Sequence, residues 1–167
     1  MNTQQVLDRL LEAYGGYYDI KKEKVTPPFD AEGYLSNEAE QYFLVKAAKV
    51  ASVNSYEYVF FAVRKKLSSN ELQMLDEKAW EEGLSRVRPD GDHKNTDVAL
   101  IVITEEAEKD ACDTARNLSH SKNYKFGLWG FSNYRLVVIE TATDTVITNR
   151  RGRDLADFVQ RTVSQNR

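Results

Sequence analysis

Between positions 90 and 97 the chain sets three carboxylates and an imidazole close together: Asp90, Asp92, His93 and Asp97. Such side chains supply the oxygen and nitrogen donors that divalent cations take. A cation held there could activate water for hydrolysis of a phosphate ester. The calcium-loop pattern is not met, because Lys94 and Asn95 stand where a ligand and a glycine are required. The same residue types also favour turns, so the segment reads first as a polar connection and second as a metal site.

The stretch from Lys122 to Arg135 is the most distinctive in the chain. Read as a strand over Tyr124–Phe131, it puts Tyr124, Phe126, Leu128 and Gly130 on one face. Lys125, Gly127, Trp129 and Phe131 then share the other. A lysine, bare backbone and two aromatic rings make a ligand groove or a stacking platform. Arg135 follows on the next strand. Near the end, Arg150, Arg151 and Arg153 precede a helix start, where free backbone amides and cations suit an anion. Lys125, Trp129, Phe131, Arg135 and these three arginines form the candidate ligand set.

Other reactive residues carry less. His93 and His120 have no serine or cysteine motif around them. Cys112 lies between Asp110 and Asp113, whose charges disfavour a thiolate. There is no glycine-rich phosphate loop, dinucleotide fingerprint, CxxC pair or HExxH. No cofactor is therefore expected, and the missing motifs leave no reaction type to name and lean the reading away from an enzyme without excluding one. The expected function is a non-catalytic binding or accessory domain that recognises a protein partner or a small anion. The alternatives are a metal-dependent phosphoesterase or nuclease and a weak nucleic-acid binder.

Composition narrows these choices. The formal net charge of -3 argues against a nucleic-acid partner, since phosphate binding usually needs a basic face. No apolar run approaches the roughly 20 residues that cross a bilayer, so no membrane association is expected. The N-terminus lacks a basic start followed by an apolar stretch, and one cysteine permits no intrachain disulfide. These features lead to an expected cytoplasmic location. The 167 residues, 41% hydrophobic, suit one domain with one sizeable core.

The elements that would position these residues follow from periodicity. A helix over Thr3–Tyr14 carries Val6, Leu7, Leu10, Leu11 and Tyr14 on one stripe, and Gly15-Gly16 stops it. Strands are expected at Ala31–Leu35, Gln41–Val50 and Tyr56–Val63, the last ended by Arg64-Lys65-Lys66. Ser68 and Glu71 form a capping box for a helix to about Arg86. Val98–Thr104 is apolar on both faces, which marks a central strand. An acidic helix start at Glu105–Asp110 leads to about Leu118. Strands at Tyr124–Phe131, Tyr134–Thr141 and Thr145–Thr148 and a helix over Asp154–Val163 complete the chain.

The order α-β-β-β-α-β over about the first 100 residues resembles the core of the restriction-endonuclease-like nucleases. Those enzymes hold magnesium with an acid and a (D/E)-x-K motif on adjacent strands. This chain has Glu57-Tyr58-Val59 without the lysine and Leu44-Val45-Lys46 without the acid, so the likeness is one of element order. The full order α-β-β-β-α-β-α-β-β-β-α predicts an α+β fold. Its sheet is mixed and largely antiparallel, with about six or seven strands and helices packed against it.

Overall fold

The computed structural model describes residues 1–35 and 55–165. The expected strand at 41–50 lies outside the described residues.

Helix α1 (Thr3–Gly15) is followed by β1 (Asp19–Lys21), β2 (Ala31–Leu35) and β3 (Ser55–Leu67). Helix α2 (Ser69–Ser85), strand β4 (Asn95–Ala107) and helix α3 (Lys109–Asn117) come next. Strands β5 (Ser121–Asn123), β6 (Phe131–Glu140) and β7 (Thr145–Thr148) precede helix α4 (Arg153–Ser164). All seven strands join one mixed sheet in the order β1-β2-β3-β4-β6-β5, with β7 also on β6. The two central pairings, β3–β4 and β4–β6, are parallel; the other four are antiparallel. The fold is α+β, as its sequence pattern predicts.

Each helix buries the stripe its spacing implies. Val6, Leu7, Leu10, Leu11 and Tyr14 of α1 join Leu155 and Val159 of α4 on one face of the sheet. Leu72, Leu75 and Ala79 of α2 join Ala111 and Ala115 of α3 on the other. Strand β4 lies between these layers and feeds both. Val98, Leu100 and Val102 point to α2 and α3, while Ala99, Ile101 and Ile103 point to α1 and α4. All six are fully buried, as a continuous apolar run in a central parallel strand requires. Helix α2 passes close over β4 at Gly83, where a Cβ would lie 2.4 Å from a Val98 methyl.

The caps differ in part from expectation. Ser68 accepts from the Glu71 amide at 3.1 Å, but the Glu71 carboxylate turns to Arg64 instead of completing the box. The reciprocal box is at Asn2 and Gln5, whose side chains each take the other's backbone amide, at 2.8 and 2.9 Å.

Three expectations are corrected. First, β3 runs through Arg64-Lys65-Lys66 to Leu67, because parallel pairing with Thr104–Ala107 continues past the apolar run. For the same reason Glu105–Ala107 extend β4, and α3 begins only at Lys109. Second, the polar stretch between Gly16 and Ala31, where no strand is expected, contains β1, an exposed edge strand paired with β2. Third, Tyr124–Phe131 is not a strand. Lys125, Phe126 and Gly127 make a tight 3-10 turn, all three with positive φ, and β6 starts only at Phe131. The alternating faces drawn from that stretch therefore do not exist.

Candidate functional site

Two polar assemblies stand out, one on each face of the sheet. The first is buried beneath α1. Register sets Glu57 of β3 directly opposite Asp97 of β4. Two carboxylates side by side repel, and Arg135 of β6 answers both. Its guanidinium donates to Glu57 in a very short ion pair and lies 3.7 Å from Asp97. Tyr18 adds a hydroxyl donated to Glu57 at 3.1 Å. One oxygen each of Glu57 and Asp97 has no hydrogen-bond partner among the described residues. Burial, aided by Asp97, raises the Glu57 pKa against the opposing pull of Arg135. For Arg135, burial works against the charge, yet the two carboxylates outweigh it and hold the guanidinium above its ordinary pKa.

The second assembly opens to solvent on the other face. It is a pocket of about 370 Å³ at the end of the sheet where β3 and β4 begin. Tyr56 and Tyr58 alternate on β3 and so share a face with Tyr34 of β2, which pairs across from Tyr58. The rings lie almost parallel: Tyr34 and Tyr58 at 4.9 Å and 24°, Tyr34 and Tyr56 at 6.4 Å and 7°. His93 extends the series, 6.4 Å from Tyr56 and inclined by 10°. Two contacts fix the His93 ring, the Trp129 carbonyl at 2.6 Å on Nδ1 and the Thr96 hydroxyl at 2.8 Å on Nε2.

Two arginines from the end of α2 stand at this pocket, and their surroundings differ. Arg86 is held by both oxygens of Glu32, at 3.3 and 3.1 Å, and by Glu82 at 3.2 Å. It also lies over the rings of Tyr58 and Phe60. Its charge is already met. Arg88 is exposed and bonds only the carbonyls of Ser85 and Val87. No carboxylate of the described residues pairs with it. The pocket thus combines flat aromatic rings with one guanidinium that is not paired with a carboxylate, and Asp90 and Asp92 also line it. Burial and the neighbouring tyrosines push the Tyr34 hydroxyl up to about 12. Burial also raises Tyr58, with Arg86 opposing.

The residues singled out from sequence fall into separate places. Asp90 accepts from the amides of Asp92 and His93 at 2.9 and 3.0 Å, which is a turn-forming role. Asp97 points to the opposite face, to Arg135. The described residues contain no group of three or more His, Cys, Asp or Glu placed to hold a metal ion, so the metal set does not assemble. Alternation along β4 explains this, since Thr96 and Asp97 must face opposite sides. Lys125 and Trp129 do meet, with the ammonium 3.9 Å from the ring centre. Phe131 begins β6 and is exposed. Arg135 is not with them but buried against Glu57. Arg150 and Arg151 form a 3-10 turn before α4, and Arg153 begins that helix; all three are exposed. Asn149 builds that turn, accepting from the Gly152 amide at 2.9 Å and bonding the Leu118 carbonyl at 3.0 Å. Cys112 has a raised pKa, first from burial and then from Glu140, which disfavours its thiolate.

His120 acquires a partner that its neighbours in sequence do not reveal. Its Nε2 lies 2.8 Å from the buried Asp76 carboxylate of α2, and Trp80 stacks on the ring at 5.2 Å. Asp76 and Trp80 are four residues apart on α2, so they occupy one face of it. The tyrosine pocket has a sequence signal too: Tyr56 and Tyr58 alternate with the acid Glu57 at the start of an apolar strand.

Tyr14, Tyr18 and Tyr134 are buried, and burial raises each hydroxyl well above the ordinary value of 10.0. Above that pH the unfolded chain releases phenolic protons that the folded protein retains. The stabilisation is complete below about pH 10 and is lost as pH rises through the folded values. Urea unfolding midpoints should therefore hold up to about pH 10 and then fall steadily. A midpoint unchanged to about pH 11 would contradict this burial.

A family model described as a domain of unknown function (DUF8052) matches residues 2–161. No curated protein and no solved structure matches the chain.

Proposed function

We propose that this chain, which belongs to the DUF8052 family, is a non-catalytic binding domain whose tyrosine-lined pocket takes a small planar anion. The observation that carries this reading is the near-parallel series His93, Tyr56, Tyr34 and Tyr58, open to solvent beside Arg88. Flat rings with exposed edges or faces favour a flat ligand, through offset stacking and burial of apolar area. Arg86 cannot anchor an anion without losing Glu32 and Glu82. Arg88 can, since it has no carboxylate to give up and only its Nη1 is engaged, by the Ser85 and Val87 carbonyls. A guanidinium also matches a carboxylate or phosphate through two parallel hydrogen bonds.

The test is calorimetric titration with aromatic carboxylates and nucleoside monophosphates as probes. At least one should bind saturably. Arg88→Ala should weaken that probe by about tenfold or more, the range of a charge-assisted hydrogen bond. Tyr34→Ala should weaken it through lost ring contact. Saturable binding that is indifferent to Arg88→Ala would remove the anion from the reading. No binding of any probe would remove the reading itself.

A further inference from the structure

The turn that replaces the expected strand at Tyr124–Phe131 shows large apolar side chains to solvent. Phe126 is 104% exposed and Leu128 78%, on a segment that projects from the sheet end. Phe131 at its base is 42% exposed. The turn is nonetheless well bonded. The Gly127 and Trp129 amides donate to the Tyr124 carbonyl at 3.0 and 3.1 Å, and the Phe131 amide to Lys94 at 3.0 Å. Phe126 itself holds a left-handed conformation, φ 55° and ψ 31°, which costs a non-glycine residue energy. The backbone thus keeps Phe126 and Leu128 turned outward rather than folded back on the protein.

Around this tip stand Lys94, Lys122 and Lys125. All three are exposed, and none has a carboxylate partner among the described residues. Lys125 lies on the half-buried Trp129 ring, and Lys122 is 5.7 Å from the Tyr124 ring centre. The acids of the adjoining loop, Asp90 and Asp92, line the pocket instead. The result is a convex apolar tip inside a collar of cations.

From this arrangement we infer that the 124–131 tip docks the protein on an anionic lipid surface, with Phe126 and Leu128 entering the headgroup layer. The collar supplies the charge complementarity. Lysines near an anionic leaflet attract it, an attraction that acts over about a Debye length and weakens with salt. Aromatic side chains with a polar edge, such as Trp129, suit that interface. A second copy meeting tip to tip would bring six lysines together. Two exposed side chains also bury far less than the roughly 1,600 Å² of a standard protein interface. A lipid surface needs neither shape complementarity nor that area. The expectation of no membrane contact rested on the lack of a spanning segment, and a peripheral tip needs none.

The test is co-sedimentation of the full chain with phosphatidylcholine vesicles, with and without phosphatidylserine. The chain should pellet with the phosphatidylserine vesicles and much less with phosphatidylcholine alone. The double variant F126S/L128S should lose binding at least tenfold, an effect on the order expected for two apolar side chains kept in water. K122E/K125E should lose about fivefold or more per lysine. Both variants change exposed side chains, and far-ultraviolet circular dichroism confirms that they remain folded. The inference fails if the wild type ignores phosphatidylserine vesicles at low salt. It also fails if F126S/L128S binds as well as the wild type. A concentration-dependent mass in light scattering, abolished by F126S/L128S and without vesicle binding, would make the tip a self-association surface and overturn the inference.

Discussion

Arg135→Leu should cost about 3–5 kcal/mol of folding free energy, the scale for breaking a buried charge pair from one side. The leucine fills much of the space but leaves Glu57 buried opposite Asp97 with no cation between them. Urea unfolding at neutral pH measures the loss. Two further results separate this cause from simple misfit. Glu57→Gln in the same chain removes the uncompensated charge, so the double variant should be more stable than Arg135→Leu alone. The pH dependence should also change in a defined sense. Burial already raises the Glu57 pKa above its ordinary 4.5, and Arg135 is the main influence opposing that rise. Without Arg135 the native state holds the Glu57 proton more tightly than the unfolded chain does. Stability is then greatest below the ordinary value and falls as pH climbs through the raised one. A loss under about 1 kcal/mol, or one indifferent to Glu57→Gln, would show that the ion pair does not matter to the fold.

Gly130→Ala should be the second severe substitution. Gly130 has φ +82°, a conformation that costs other residues about 1–2 kcal/mol. Space is the larger problem. An added Cβ would lie 2.1 Å from the Lys94 carbonyl oxygen and 2.8 Å from His93 Nδ1. The oxygen is a backbone atom that also accepts from the Phe131 amide, so it cannot move without opening the start of β6. A total of about 3 kcal/mol follows when overpacking is added to the backbone cost. Because the Trp129 carbonyl holds His93, the same change should disturb the pocket wall. The measurement is the unfolding midpoint together with the tyrosine near-ultraviolet circular dichroism. Gly127→Ala is the control. It shares the positive φ at +86° but has open space around its Cβ, so it should cost only the backbone part.

Both predictions depend on features that differ in how visible they are from sequence. The helices were legible because their apolar spacing matches a 3.6-residue repeat, and α1, α2 and α4 lie within a residue or two of where that spacing puts them. The central strand was legible because Val98–Ile103 has no polar residue to face water. The expected order counts a strand at 41–50, which lies outside the described residues, and lacks the strand β1 that the described residues contain. Strand β1 has no counterpart in the sequence reading, since an exposed three-residue edge strand carries no apolar signal. The turn at Lys125–Gly127 was misread because aromatic content suggests a strand whether or not the backbone pairs.

The candidate sites show where local reading stops. Sequence by itself determined the class of fold, the two-sided burial of β4 and the stripes that each helix turns inward. These depend on periodicity, a property of neighbouring residues. Tertiary structure alone decided which charges meet. Asp97 went to Arg135 rather than to Asp90 and His93, because residues that alternate on a strand serve opposite faces. Arg135 left the ligand set for Glu57, which is 78 positions away in the chain. The tyrosine pocket arises from register between β2 and β3 and from the path of the chain after α2. The apolar tip arises from left-handed backbone that only the surrounding hydrogen bonds hold in place. Each is a matter of long-range pairing, and no spacing rule within a segment encodes it.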